Sequence, residues 1–148
     1  MSTRANVLVA EKNGDWEKIS QFYRHCDGYV EETGKDLAIL AYMAKEFADP
    51  DSNIDDAGNE TKRDNFKRIR NRFLGYLNDS PNNYEAEDFE GGVHGDIEYL
   101  YLVKIQRDEY DSVVLTVDFI EIPMGSNPSD YVQKILNGEG TEIELQVK

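Results

Sequence analysis

Hydrophobic and polar positions alternate near the amino terminus. Ala5, Val7 and Val9 fall on one side of a segment spanning residues 3–11, the period of two expected of a strand. Lys12-Asn13-Gly14-Asp15 breaks the pattern, and Asn-Gly accepts the positive φ of a tight hairpin turn. A second extended segment covers residues 17–25, with Ile19, Gln21, Tyr23 and His25 on one side and Phe22 on the other. Together the two segments predict an N-terminal hairpin.

The period then lengthens. Leu37, Leu40, Ala41, Ala44 and Phe47 recur at helical spacing. Thr33 reads as the N-cap, with Asp36 three residues on as in a capping box, and Asp49-Pro50 stops the helix. Residues 49–60 form a polar loop. A second helix starts at Thr61, again with an aspartate three residues later (Asp64), and carries an apolar stripe of Phe66, Ile69, Phe73, Tyr76 and Leu77. Residues 78–95, rich in Asn, Pro, Gly and acidic side chains, predict a long mobile loop.

Beyond that loop alternation returns. Ile97, Tyr99, Tyr101, Val103 and Ile105 share one face of residues 96–106, and Val113, Leu115, Val117 and Phe119 one face of residues 112–121. Residues 107–111 join the two as a hairpin. A short helix over 130–136 and a last strand over 142–147 complete the pattern. Strands and helices are segregated rather than alternating. This predicts a single α+β domain over residues 1–148, with a mainly antiparallel sheet and two central helices. At 148 residues the chain is long enough to bury a real core.

Charge changes the picture more than overall composition does. Thirty acidic residues against sixteen basic ones give a net charge of −14. Such a surface repels nucleic acid and anionic lipid and favours cationic partners. Keeping a protein soluble is one use of that charge; presenting carboxylates in place of phosphates to a nucleic-acid-binding protein is another. Six basic residues, Lys62, Arg63, Lys67, Arg68, Arg70 and Arg72, cluster on the second helix. They form a solvated face or meet an acidic region of this chain, a twin subunit or a phosphate. The single cysteine, Cys26, allows no intrachain disulfide, which fits a reducing compartment. There is no apolar run near 18 residues and no secretory h-region, so a cytoplasmic protein without a membrane span is expected.

Candidate chemistry concentrates in Tyr23-Arg24-His25-Cys26-Asp27-Gly28-Tyr29 and the following Gly34-Lys35-Asp36-Leu37. Polar and aromatic side chains in this density are costly to bury without partners. The block therefore predicts a tightly bonded corner or a binding site built from Arg4, Tyr23, Arg24, His25, Asp27 and Tyr29, with Asp27 pairing Arg4 and Arg24. Both histidines sit in His-x-Asp triplets, His25-Cys26-Asp27 and His94-Gly95-Asp96. On strands each triplet would point an imidazole and a carboxylate the same way. His25, Asp27, His94 and Asp96 thus form a candidate transition-metal set. The plainer alternative is that each histidine donates to its own aspartate and fixes a turn. Cys26 would point away, as a small buried residue.

Asp49, Asp51, Asn53, Asp55 and Glu60 match EF-hand ligand positions 1, 3, 5, 7 and 12. Ile54, however, stands where the sharp turn needs glycine, Asp56 takes the apolar position, and Pro50 is second. Micromolar calcium binding is not expected. The chain has no nucleophile elbow, Walker loop or dinucleotide fingerprint, and no cofactor is expected. Nine tyrosines suit a protein-binding surface.

The residues Thr3, Arg4, Tyr23, Arg24, His25, Asp27, Gly28, Tyr29, Gly34 and Leu37 resemble a family of small uncharacterised phage and prophage proteins with a Thr-Arg start and a Tyr-Arg-His-x-Asp-Gly-Tyr block. His94-Gly95-Asp96-Ile97-Glu98-Tyr99 is similar to a later segment of that family. Val30 stands where the family carries proline. The likeness covers roughly the first third of the chain and this short later piece. It implies a phage-type accessory protein in the host cell and no established activity. With the acidity and the missing catalytic signatures, the expected role is binding a host or phage protein. Inhibition of a host defence system, anti-CRISPR-like or as an acidic nucleic-acid mimic, is its most concrete form. The alternatives are a metal-dependent hydrolase using the two His-x-Asp triplets, and a structural or dimerising phage protein, homo-oligomeric in the latter case.

Overall fold

The computed structural model describes residues 3–13, 15–46, 62–80, 82–88, 92–109 and 112–144, with the side chains of residues 13, 15, 46 and 62–65 left aside. Strand β1 (Ala5–Asn13) pairs antiparallel with β2 (Asp15–Arg24), the hairpin that alternation predicts. Strands β4 (Tyr99–Arg107) and β5 (Val113–Glu121) form a second antiparallel pair. The two pairs are joined by a parallel β1–β4 contact, running from Ala5 opposite Tyr99 to Glu11 opposite Ile105. Parallel neighbours need a long connection between them. Here it carries α1 (Lys35–Glu46), α2 (Lys62–Asn78) and the three-residue β3 (Glu85–Glu87). With β6 (Thr141–Glu142) the sheet has six strands in the order β3-β2-β1-β4-β5-β6. The architecture is α+β and the sheet is mostly antiparallel.

Each face of the sheet has its own core. On one side Ala5, Val7, Val9, Phe22, Tyr101, Val103, Val113 and Val117 meet Leu37, Ala41 and Ala44 of α1 and Ile69, Phe73 and Leu77 of α2. On the other, Leu8, Ala10, Tyr23, Leu100 and Leu102 meet Ile97, Ile122 and Ile135, the last from the short α3 (Val132–Leu136). Strands β1 and β4 are thus covered on both sides, and Val7-Leu8-Val9-Ala10 and Leu100-Tyr101-Leu102-Val103 are unbroken runs of fully buried residues. Burying an aliphatic side chain of this size contributes ~1.5–3 kcal/mol before chain entropy is set against it.

The structure corrects several expectations. Residues Val9 and Ala10 face Ser20 and Lys18, so a β-bulge isolates Ile19. The bulge swings Ile19 onto the helix-side core, away from Gln21 and Tyr23, because one extra residue inverts strand alternation. Ile97 precedes β4 and packs on the face opposite Tyr101. Thr33 does not cap α1: its hydroxyl donates to the Asp27 carbonyl at 2.6 Å. The chain enters the helix through a π-helical turn, Val30–Gly34, in which the Glu32, Thr33 and Gly34 amides donate to the Tyr29 carbonyl. The span 78–95 is not all loop, since it contributes β3 and the buried Tyr84. The last strand is described as Thr141–Glu142. The predicted Phe47, the 49–60 loop with its EF-hand-like spacing, the Thr61 cap, and residues 145–147 of the last strand lie outside the described residues.

Candidate functional site

The short edge strand β3 organises the polar centre of the molecule. Its register sets Glu87 opposite Gln21 and Glu85 opposite Tyr23, while β1 sets Asn6 opposite Tyr23. Paired residues share a face, so Asn6, Gln21, Tyr23, Glu85 and Glu87 all project on the side away from α1 and α2. Asn6 and Gln21 are 0% and 1% exposed, and amides so deeply buried need partners. The Asn6 amide nitrogen donates to Glu87 Oε1 at 2.9 Å and to the Phe22 carbonyl at 3.0 Å. Gln21 Nε2 donates to Glu87 Oε1 at 3.0 Å and to the Gly92 carbonyl at 3.2 Å. Asn6 Oδ1 accepts from the His94 backbone amide at 2.8 Å, and Lys18 Nζ donates to Gln21 Oε1 at 2.8 Å.

Both imidazoles converge on this framework. His94 Nε2 bonds Glu87 Oε2, and His25 Nε2 lies 2.7 Å from Glu85 Oε2. The Tyr23 ring sits between them, stacked on His94 at 3.8 Å and edge-on to His25 at 4.5 Å. Its hydroxyl donates to the Asp96 carboxylate at 3.2 Å, and Arg4 Nε is 3.5 Å from Asp96 Oδ2.

The electrostatics follow the bonding. Burial alone would push the Glu87 carboxyl up, but hydrogen bonds from His94, Gln21 and Asn6 outweigh it and hold the group below its ordinary value. Burial, then the Asp96 charge and hydrogen bond, raises the Tyr23 phenol. Burial lowers Lys18, partly offset by Asp88 and Glu87. Chemically, Glu87 orients His94 as a carboxylate orients a general base, and Asn6 and Gln21 in turn hold Glu87.

Of the residues singled out from sequence, the structure brings Arg4, Tyr23, His25, His94 and Asp96 together. It does not bring Asp27. Strand β2 ends at Arg24, so His25 to Asp27 no longer alternate, and Asp27 turns through φ +57° with its side chain exposed. His94 to Asp96 likewise lie in a turn before β4. The histidines therefore find glutamates of β3 instead of their neighbouring aspartates. Among the described residues no group of three or more His, Cys, Asp or Glu side chains is placed to hold a metal ion, and the set His25, Asp27, His94 and Asp96 is not assembled.

The predicted Asp27 pairing is also replaced. Arg4 takes Asp96; Arg24 Nε donates to the Cys26 carbonyl at 3.0 Å, and its guanidinium lies 5.1 Å over the Tyr84 ring. Cys26 is exposed, not buried. Tyr29 is 44% exposed, its ring centroid 6.3 Å from that of Tyr99. The corner itself is tightly made. The Gly28 amide donates to the Thr3 carbonyl at 3.0 Å, the Tyr101 hydroxyl donates to the Gly28 carbonyl at 2.5 Å, and a Cβ on Gly28 would meet the Thr3 oxygen at 2.9 Å.

Sequence reasoning missed Asn6, Gln21, Glu85 and Glu87. Asn6 and Gln21 were visible as amides inside otherwise apolar strands, a pattern that calls for a buried partner. Glu85-Ala86-Glu87 has strand alternation but too little length to stand out.

Comparison with known proteins gives no match: no family model, no curated protein and no solved structure aligns with this chain. Among the described residues no helix is long and apolar enough to cross a membrane.

Proposed function

We propose that the protein works by binding another protein rather than by turning over a substrate. In this reading it is a phage- or prophage-type accessory protein of the host cytoplasm that inhibits a host defence system. Its target is a nucleic-acid-handling protein whose cationic groove takes carboxylates in place of phosphates.

The observation that carries the reading is the direction of the hydrogen bonds in the polar centre. The His94 Nε2 and the Asn6 and Gln21 amides are bonded inward, to Glu87 and backbone carbonyls, and His25 pairs with Glu85 at the exposed rim. They tie β3 and the segment before β4 to the sheet. Glu85, Asp88 and Asp96 remain exposed around them. The result is a set of carboxylates on a firmly held support, in a chain of net charge −14. Preorganised charge of one sign speeds capture of an oppositely charged partner, and the gain is screened by salt.

The test is affinity capture from a bacterial host lysate, followed by association kinetics with the captured partner from low to high salt. The expected result is a nucleic-acid-handling partner whose association slows steeply as salt rises, and more slowly at every salt for Asp88→Asn/Asp96→Asn. A flat salt profile would remove the carboxylate mechanism. A substrate turned over by the purified chain, and lost in His94→Ala with the fold intact, would replace binding by acid–base chemistry at the Glu87–His94 pair.

A further inference from the structure

The Tyr29 ring is held out toward solvent, 44% exposed, from a backbone that is firmly fixed. Its carbonyl accepts the Glu32, Thr33 and Gly34 amides, and the neighbouring Gly28 is bonded to Thr3 and to the Tyr101 hydroxyl. Beside it stands the half-buried Tyr99, the first residue of β4, with ring centroids 6.3 Å apart and planes inclined at 62°. An exposed aromatic ring on a rigid support is the usual anchor of a binding surface.

The charge around these rings is of one sign. Glu121 lies directly opposite Tyr99 and so shares its face; Glu31 follows Tyr29 by two residues and Glu98 precedes Tyr99. All three are exposed. Burial, then the charges of Glu121, Glu31 and Glu98, raises the Tyr99 phenol. Among the described residues no ion pair joins any of the three to a cation. A groove flanked by Asp96, Glu98, Glu121, Pro123 and Met124 runs beside them, and Met124 is fully exposed. An apolar occupant would strip water from unpaired carboxylates, and an anion would be repelled. The side chain that both stacks on an aromatic ring and pairs with carboxylates is arginine.

We propose that this end of the sheet receives an arginine of a protein partner, its guanidinium stacked on Tyr29 and paired with the carboxylates around Tyr99. The groove toward Asp96 takes the chain that flanks it. The proposal rests on the reading above, that the protein binds a cationic partner, and names the contact.

The probe is a capped Gly-Arg-Gly-Arg-Gly peptide, with its lysine counterpart, titrated into the full chain at low salt and followed by NMR. The arginine peptide is expected to shift the amides of Tyr29, Tyr99 and Glu121 most and to bind more tightly than the lysine one. Tyr29→Leu keeps an apolar side chain but loses the ring, and should weaken binding about two- to fivefold, the weight of one exposed cation–π contact. Tyr29→Phe should leave it unchanged. Glu121→Gln should weaken it about twofold. Glu17→Gln removes the same charge at the other end of the sheet, opposite Glu11 where Tyr99 is opposite Ala5, and should matter less. Equal binding by the native chain and Tyr29→Leu, equal affinity for the two peptides, or shifts spread evenly over the acidic surface would overturn this site and leave the carboxylate reading standing. Failure of that reading would show separately, as a flat salt profile with the captured partner.

Discussion

Tyr23 and Arg24 are consecutive in β2 but serve opposite faces of the sheet, and the two surroundings differ in kind. Around Tyr23 the half-buried carboxylate Glu87 receives donors from Asn6, Gln21 and His94, and the cluster opens to solvent at His25, 67% exposed, and Asp96. Around Arg24, 11% exposed, the guanidinium is pressed over Tyr84, and its Nη1 lies 3.9 Å from Asp36 Oδ2 with no hydrogen bond. The Tyr84 hydroxyl takes Asp36 at 2.5 Å, and burial, then that bond, pushes the phenol far above its usual range. The first group is a satisfied network with an accessible rim; the second is a pin between β2, α1 and the Tyr84 segment. Buried polar groups rigidify a fold only when every member is bonded. A buried ion without its full set of partners adds little net stability.

That comparison is broken most directly at Glu87. Glu87→Ala leaves the buried Asn6 and Gln21 donors each short of an acceptor, and a loss of about 1–3 kcal/mol is expected in chemical denaturation. A loss within error of zero would mean that the network does not hold β3. Acid sharpens the point. The Glu87 carboxyl is lowered in the folded state from its ordinary value of 4.5. Its contribution is therefore complete above that ordinary value and fades as pH falls through the lower native one. Stability measured against pH should decline on this acid limb, and Glu87→Gln should flatten the decline; an unchanged limb would assign it to other carboxylates.

The second group should be less sensitive. Arg24→Met keeps the packing over Tyr84 and removes the under-bonded cation, so a change below about 1 kcal/mol is expected. A larger loss would show that the Asp36 contact outweighs its long geometry. The smallest effect belongs to the rim. The His25–Glu85 pair is 67% and 60% exposed, and His25→Ala should shift stability by only about 0–0.5 kcal/mol, less still in high salt. A shift as large as that of Glu87→Ala would place His25 inside the network rather than at its edge.

Local patterns along the chain decided much of this protein. The alternation of Ala5, Val7 and Val9 and of Val113, Leu115, Val117 and Phe119, and the helical spacing of Leu37, Ala41 and Ala44 and of Ile69, Phe73 and Leu77, all lie where the sequence puts them. Each is set by the burial of one face of one element, and a few neighbouring residues are enough to encode it. The corner at Gly28 was legible for the same reason, since a dense polar block must find partners. The parallel β1–β4 contact, the bulge at Ile19 and the exchange of Asp27 and Asp96 for Glu85 and Glu87 came from tertiary structure alone. His94 and Glu87 are seven positions apart, but the bonds that fix them on the sheet and the His25–Glu85 bond join residues 60 to 88 positions apart. Which distant carboxylate reaches an imidazole depends on strand order and register, and those are chosen by packing of the whole sheet.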